Sequence, residues 1–105
     1  MVMNVVWTET ALNSLKAIYY YTLSWSQNER MASVLNDLLV KSCLVLIKNP
    51  YAGPLESSLE DQVEVYRSLV VHKYYKLIYR VLEETQTVEI AAVWDVRRNP
   101  KTLSV

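Results

Sequence analysis

The sequence has one cysteine, one histidine and one glycine, and each scarcity excludes something. Cys43 lies in an apolar run with no second thiol to join, so no disulfide staples the chain, and the residue reads as a small buried hydrophobe in a reducing compartment. With His72 as the lone histidine, the Cys/His set of a structural metal site is missing. No metal and no cofactor is expected. Uninterrupted apolar runs are also short. The longest, Cys43 to Ile47 and Ile90 to Trp94, fall far below the ~20 residues of a membrane span. The opening MVMNVVWTET is too polar and lacks the basic flank of a secretory signal. A soluble, cytoplasmic protein with no membrane partner is the expectation.

Charge of one sign is absent too. Eleven Lys/Arg balance eleven Asp/Glu, which argues against a strongly basic nucleic-acid binder. The distribution is uneven, however. Residues 1–62 carry four cations and six acids, whereas residues 63–105 carry seven cations and five acids. What the chain does have is apolar surface: 51% of its 105 residues are hydrophobic, enough for one domain, 1–105, with one core.

Val2 to Trp7 is rich in β-branched residues and reads as a first strand. Thr8 is a helix cap with Glu9 favoured in the first turn. Ala11, Leu12, Leu15, Ile18, Tyr19, Thr22 and Leu23 then recur at helical spacing, while Tyr19-Tyr20-Tyr21 wraps rings around the helix. Ser24 to Asn28 breaks the pattern, and Asn28 can cap a second helix. Its main stripe is Met31, Leu35, Leu38, Ser42, Val45 and Leu46, widened by Ala32 and Leu39. Asn49-Pro50 stops it, because proline donates no amide and disfavours helix geometry in the residue before it. Two helices joined by a short turn form a hairpin.

Pro50 to Gln62, containing Gly53, reads as a loop. Three alternating segments follow: Val63 to Val71, Tyr74 to Leu82 and Val88 to Val96. His72-Lys73 and Glu83 to Gln86 connect them, although no Asn-Gly or Asp-Gly hairpin signal is present. In the last segment Val88, Ile90, Ala92 and Trp94 form one side, with Glu89, Ala91, Val93 and Asp95 on the other. Both sides of all three segments are partly apolar, so one face packs on the helices and the other is only half wet. The fold class is therefore α+β: an N-terminal strand, an antiparallel two-helix hairpin, then a three-stranded antiparallel meander packed on the helices, with the first strand joining at an edge.

Thr8…Ala11…Leu15…Ile18…Tyr21 and Leu46…Asn49-Pro50…Gly53 are similar to the opening helix and the helix exit of the RelE/ParE toxin superfamily. Tyr66-Arg67-Ser68-Leu69, Tyr75-Lys76-Leu77-Ile78-Tyr79-Arg80-Val81 and Val93-Trp94-Asp95-Val96-Arg97-Arg98-Asn99-Pro100 resemble its sheet motifs. The resemblance covers nearly the whole chain, in order. It implies the toxin of a type II toxin–antitoxin pair, held inactive by an antitoxin encoded beside it. RelE-like members cleave messenger RNA in the ribosomal A site; ParE-like members poison DNA gyrase.

Metal-free RNA cleavage needs a base for the 2′-hydroxyl, an acid for the leaving oxygen and cations for the charged phosphate. The resemblance makes Arg67, Lys76, Arg97 and Arg98 the catalytic candidates, with arginine offering a rigid fork to phosphate and Lys76 a point charge. Arg80, also set among apolar residues, reads as a cross-strand ion-pair partner. The family's tyrosine beyond the basic pair and the histidine just before it have no counterpart here. His72 falls in a turn expected at the other end of the strands, and Glu64 could act as a base only under a folded-over loop. Gyrase inhibition needs a protein surface and no reaction. The ParE-like reading, with an antitoxin and gyrase as partners, is thus preferred over a RelE-like endoribonuclease acting on ribosome-bound mRNA.

Overall fold

The computed structural model describes residues 2–105. β1 (Asn4–Trp7) leads into Thr8, whose extended backbone and side-chain oxygen, accepting from the Ala11 amide at 3.1 Å, start α1 (Glu9–Ser26). The same hydroxyl donates to the Ala91 carbonyl at 3.1 Å, which ties the helix start to the sheet. α1 runs two residues past the expected break at Ser24, taking in Trp25, and ends where Gln27 adopts a left-handed φ of 52°. The Gln27 amide then closes on the Leu23 carbonyl, satisfying a carbonyl the helix end would leave free. Asn28 accepts from the Met31 amide and caps α2 (Glu29–Lys41). The second helix is not continuous to Asn49: a 3-10 turn at Ser42–Leu44 separates α2 from the short α3 (Val45–Lys48).

Four strands form one sheet in the order β1-β4-β3-β2, with β2 at Arg67–His72, β3 at Tyr75–Leu82 and β4 at Thr87–Asp95. The meander is antiparallel, and β1 lies at the edge as expected, but it pairs with β4 in parallel. The α hairpin between β1 and the meander supplies the crossover that a parallel pair requires.

Two expected alternations shift. Tyr79 pairs with Ile90 and Ile78 with Ala92, which leaves Ala91 as the extra residue of a bulge. The face therefore changes at that point: Val88, Ile90 and Val93 join the helix-side core, and Ala91, Ala92 and Trp94 the opposite one. β2 starts at Arg67 rather than Val63. Residues 54–56 pair along the outer edge of β2, the Glu56 amide bonding to the Tyr66 carbonyl and the Ser68 amide to the Pro54 carbonyl. The chain then crosses the sheet through Leu59, so it re-enters the ladder only at Arg67 and leaves Val63 96% exposed.

The helix-side core contains Leu15, Leu39, Leu46, Leu77, Tyr79 and Ile90. Ala32 and Leu39, expected only to widen the α2 stripe, are its buried residues, whereas Met31 and Leu38 from the expected main stripe are exposed. A smaller second core, Leu59 with Ile78, Ala91, Ala92 and Trp94, lies beneath the strap of residues 54–66 and Leu103.

Candidate functional site

The register sends the predicted cations to different faces. Arg67 stands opposite Tyr79 and shares its helix-side face; Lys76 stands opposite Val70 and Trp94 and points the other way. Arg67 Nη1 donates to the Gly53 carbonyl at 2.9 Å, and its guanidinium carbon lies 5.0 Å from the Tyr51 ring centroid. The Gly53 amide donates to the buried Tyr79 hydroxyl at 2.9 Å. Gly53 is required by space: a β-carbon there would sit 2.2 Å from the Ser68 carbonyl oxygen. Arg67, Tyr79 and Gly53 together clamp the start of the strap to the sheet.

On the opposite face Lys76 Nζ lies 2.5 Å from Glu56 Oε1. The Glu56 carboxylate is buried and also accepts from the Ser58 amide and hydroxyl. Burial alone would raise its pKa, but the Lys76 ammonium and the Ser58 and Ser68 donors outweigh it and bring the value down to about 2. Arg80 bonds Glu89 at 2.8 Å across the β3–β4 pair and reaches the exposed Glu64 at 3.9 Å, as a cross-strand partner should. Glu64 itself lies on the strap, with its side chain exposed.

Arg97 and Arg98 leave the end of β4. Arg97 grips Asp95 with two bonds, at 3.0 and 2.8 Å, holding that carboxyl below its ordinary range, and stacks 4.1 Å over the Tyr74 ring. Arg98 lies 4.8 Å over the Trp94 ring. His72 sits at this same end, not the other, because it pairs with Tyr75 and Tyr75 pairs with Asp95. Its ring centroid is 5.6 Å from that of Tyr75. The signal that could have placed it is the hairpin itself: residues flanking one turn share an end with the exit of the third strand.

Arg97, His72, Tyr74 and Tyr75 line an apolar groove of about 720 Å³. The helical hairpin supplies Tyr21, Trp25, Met31, Val34 and Leu38, all exposed, together with Arg30; the sheet end supplies His72, Tyr74, Tyr75 and Arg97. Five large apolar side chains of the hairpin are thus exposed side by side along one wall of the groove. Chemically, the groove can bind an apolar segment with anionic neighbours. Arg67 and Lys76 are absent from its lining, and the one histidine and Arg97 are present.

The architecture is that of toxins from toxin–antitoxin modules. The structure matches a chain of the chromosomal ParDE toxin–antitoxin system from P. aeruginosa with a TM-score of 0.73 and 19% identity, covering 90% of this chain and 97% of that one. It matches one from the toxin–antitoxin complex RelBE2 of Mycobacterium tuberculosis at 0.60 and 20%, covering 90% and 99%. A YoeB/ParE toxin from Agrobacterium tumefaciens matches at 0.50 and 22%, covering 89% and 98%. No curated protein matches at the sequence level. The profile of the ParE toxin of type II toxin–antitoxin system, parDE, matches residues 5–100, and the chain belongs to that family. Among the described residues, no helix is long and apolar enough to cross a membrane.

Proposed function

We propose that this ParE-family toxin acts on DNA gyrase by binding rather than by cutting RNA, and that a cognate antitoxin neutralises it by covering the groove. The observation that supports binding is the dispersal of the predicted phosphate-facing groups. Arg67 is engaged with the Gly53 carbonyl on one face, Lys76 with Glu56 on the other, and Arg97 with Asp95 at the sheet end. Phosphoryl chemistry depends on charges converging on one reacting phosphate, and these three do not. The groove supports the antitoxin contact. Its walls are exposed Tyr, Trp, Met, Val and Leu side chains, suited to the apolar face of a partner helix. The test is supercoiling by purified gyrase with the toxin added: inhibition that the antitoxin reverses is expected.

One observation favours a second reading, a ribosome-dependent endoribonuclease. His72 and Tyr75 share the groove with Arg97, so a titratable ring, a phenol and a cation line one cavity. Under that reading, primer extension on cellular mRNA shows discrete cuts on induction, and His72→Ala removes them.

A further inference from the structure

We propose that the cationic end of the sheet, adjoining the apolar groove that Arg97 and Arg30 also line, is a contact for the DNA backbone. The gyrase reading enters only in the choice of DNA over RNA. A net charge of zero hides a separation of signs along the strands. Lys73 in the β2–β3 turn and Arg97, Arg98 and Lys101 after β4 gather at one end, because the Val96 amide bonds to the Tyr74 carbonyl and Tyr75 pairs with Asp95. Arg30 in the first turn of α2 faces the same end across the groove. The acids there are Asp95, already bonded to Arg97, and Glu29 beside Arg30. The opposite end of the sheet holds Glu83, Glu84 and Glu89, with Glu64 alongside Arg80.

Two further features suit this end to phosphate. Lys73, Arg98, Lys101 and Arg30 form no salt bridge among the described residues, so their charges are available. Three of the cations lie on aromatic faces: Lys73 Nζ is 5.2 Å and Arg97 4.1 Å from the Tyr74 centroid, and Arg98 is 4.8 Å from that of Trp94. Stacking restricts the side chain before a ligand arrives, so less rotamer freedom is lost on binding. Guanidinium N–H groups at the rim of such a stack remain free to donate to phosphate oxygens.

The experiment is fluorescence anisotropy of a short duplex titrated with the toxin between about 50 and about 300 mM salt. Four available cations at about 0.9 per phosphate predict a slope of log K against log salt near −3.6. Arg98→Ser with Lys101→Ser should reduce its magnitude by about 2, whereas Lys41→Ser with Lys48→Ser, at the far end of the helical layer, should leave it unchanged. All four side chains are exposed, so folding is unaffected. An unchanged slope in the Arg98/Lys101 variant, or tighter binding of an RNA duplex than of DNA, overturns the proposal. So does a toxin that inhibits supercoiling yet binds no duplex at about 50 mM salt, while the gyrase reading survives that result. Duplex binding with the expected slope but no effect on gyrase has the reverse meaning.

Discussion

Replacing Glu56 with glutamine should unlatch the strap at neutral pH and do almost nothing in acid. The carboxylate is buried beneath the strap, with Lys76 Nζ at 2.5 Å and the Ser58 amide and hydroxyl donating to it. Its pKa falls from an ordinary 4.5 to about 2. The folded form thus holds the proton less tightly than the unfolded chain, so stability is fully present above pH 4.5 and is lost as pH falls toward 2. At about 1.4 kcal/mol for each pH unit, that interval is worth about 3.5 kcal/mol, or about 2–3 allowing for the part-exposed Lys76. Glu56→Gln also leaves the ammonium half-buried without its counter-ion, which adds in the same direction. For a domain of this size, about 4 °C in Tm accompanies each kcal/mol, so the variant should melt about 10 °C lower at pH 7. Circular dichroism melts of both proteins at pH 7 and near pH 1.5, below the folded-state pKa, give the comparison. The expected result is a wide gap at pH 7 that closes in acid. Equal melting temperatures at pH 7, or a gap of the same size at both pH values, would refute the latch.

Gly53→Ala places a methyl against the Ser68 carbonyl and beside the Tyr79 hydroxyl, so the strap must shift and its bond to Tyr79 is lost; a cost of about 2–4 kcal/mol is expected by urea denaturation. Val34→Asp alters an exposed groove residue, so thermal stability should change by no more than about 0.5 kcal/mol while antitoxin affinity, read by calorimetry, falls at least about tenfold. Unaltered antitoxin affinity would move that contact elsewhere on the toxin.

The caps and stops were legible because they act locally. Thr8 and Asn28 accept amide hydrogens three residues ahead, Pro50 follows the end of α3, and these relations need no tertiary information. The β-α-α-β-β-β order followed from them. Tertiary geometry decided what was not legible. The bulge at Ala91 reverses which side of β4 faces the helices, and nothing in AlaAla distinguishes the extra residue from its neighbour. Likewise, α2 buries Ala32 and Leu39 and turns Met31, Val34 and Leu38 outward, although hydrophobicity alone favours the larger side chains for the core. A small residue permits close approach, and the displaced large ones become groove wall. The partners of the cations were equally hidden: Glu56 is 20 residues from Lys76, and Gly53 is 14 from Arg67, with the strap bringing each pair together. His72 was misplaced because the end at which it sits follows from strand pairing, not from its neighbours in sequence.

The most direct measurement is plasmid supercoiling by purified gyrase in the presence of the purified toxin, run alongside a ribosome-programmed mRNA cleavage assay on the same preparation. Inhibition of supercoiling that the antitoxin abolishes, with the messenger left intact, is the expected result. Discrete cuts in the messenger with gyrase fully active would contradict it.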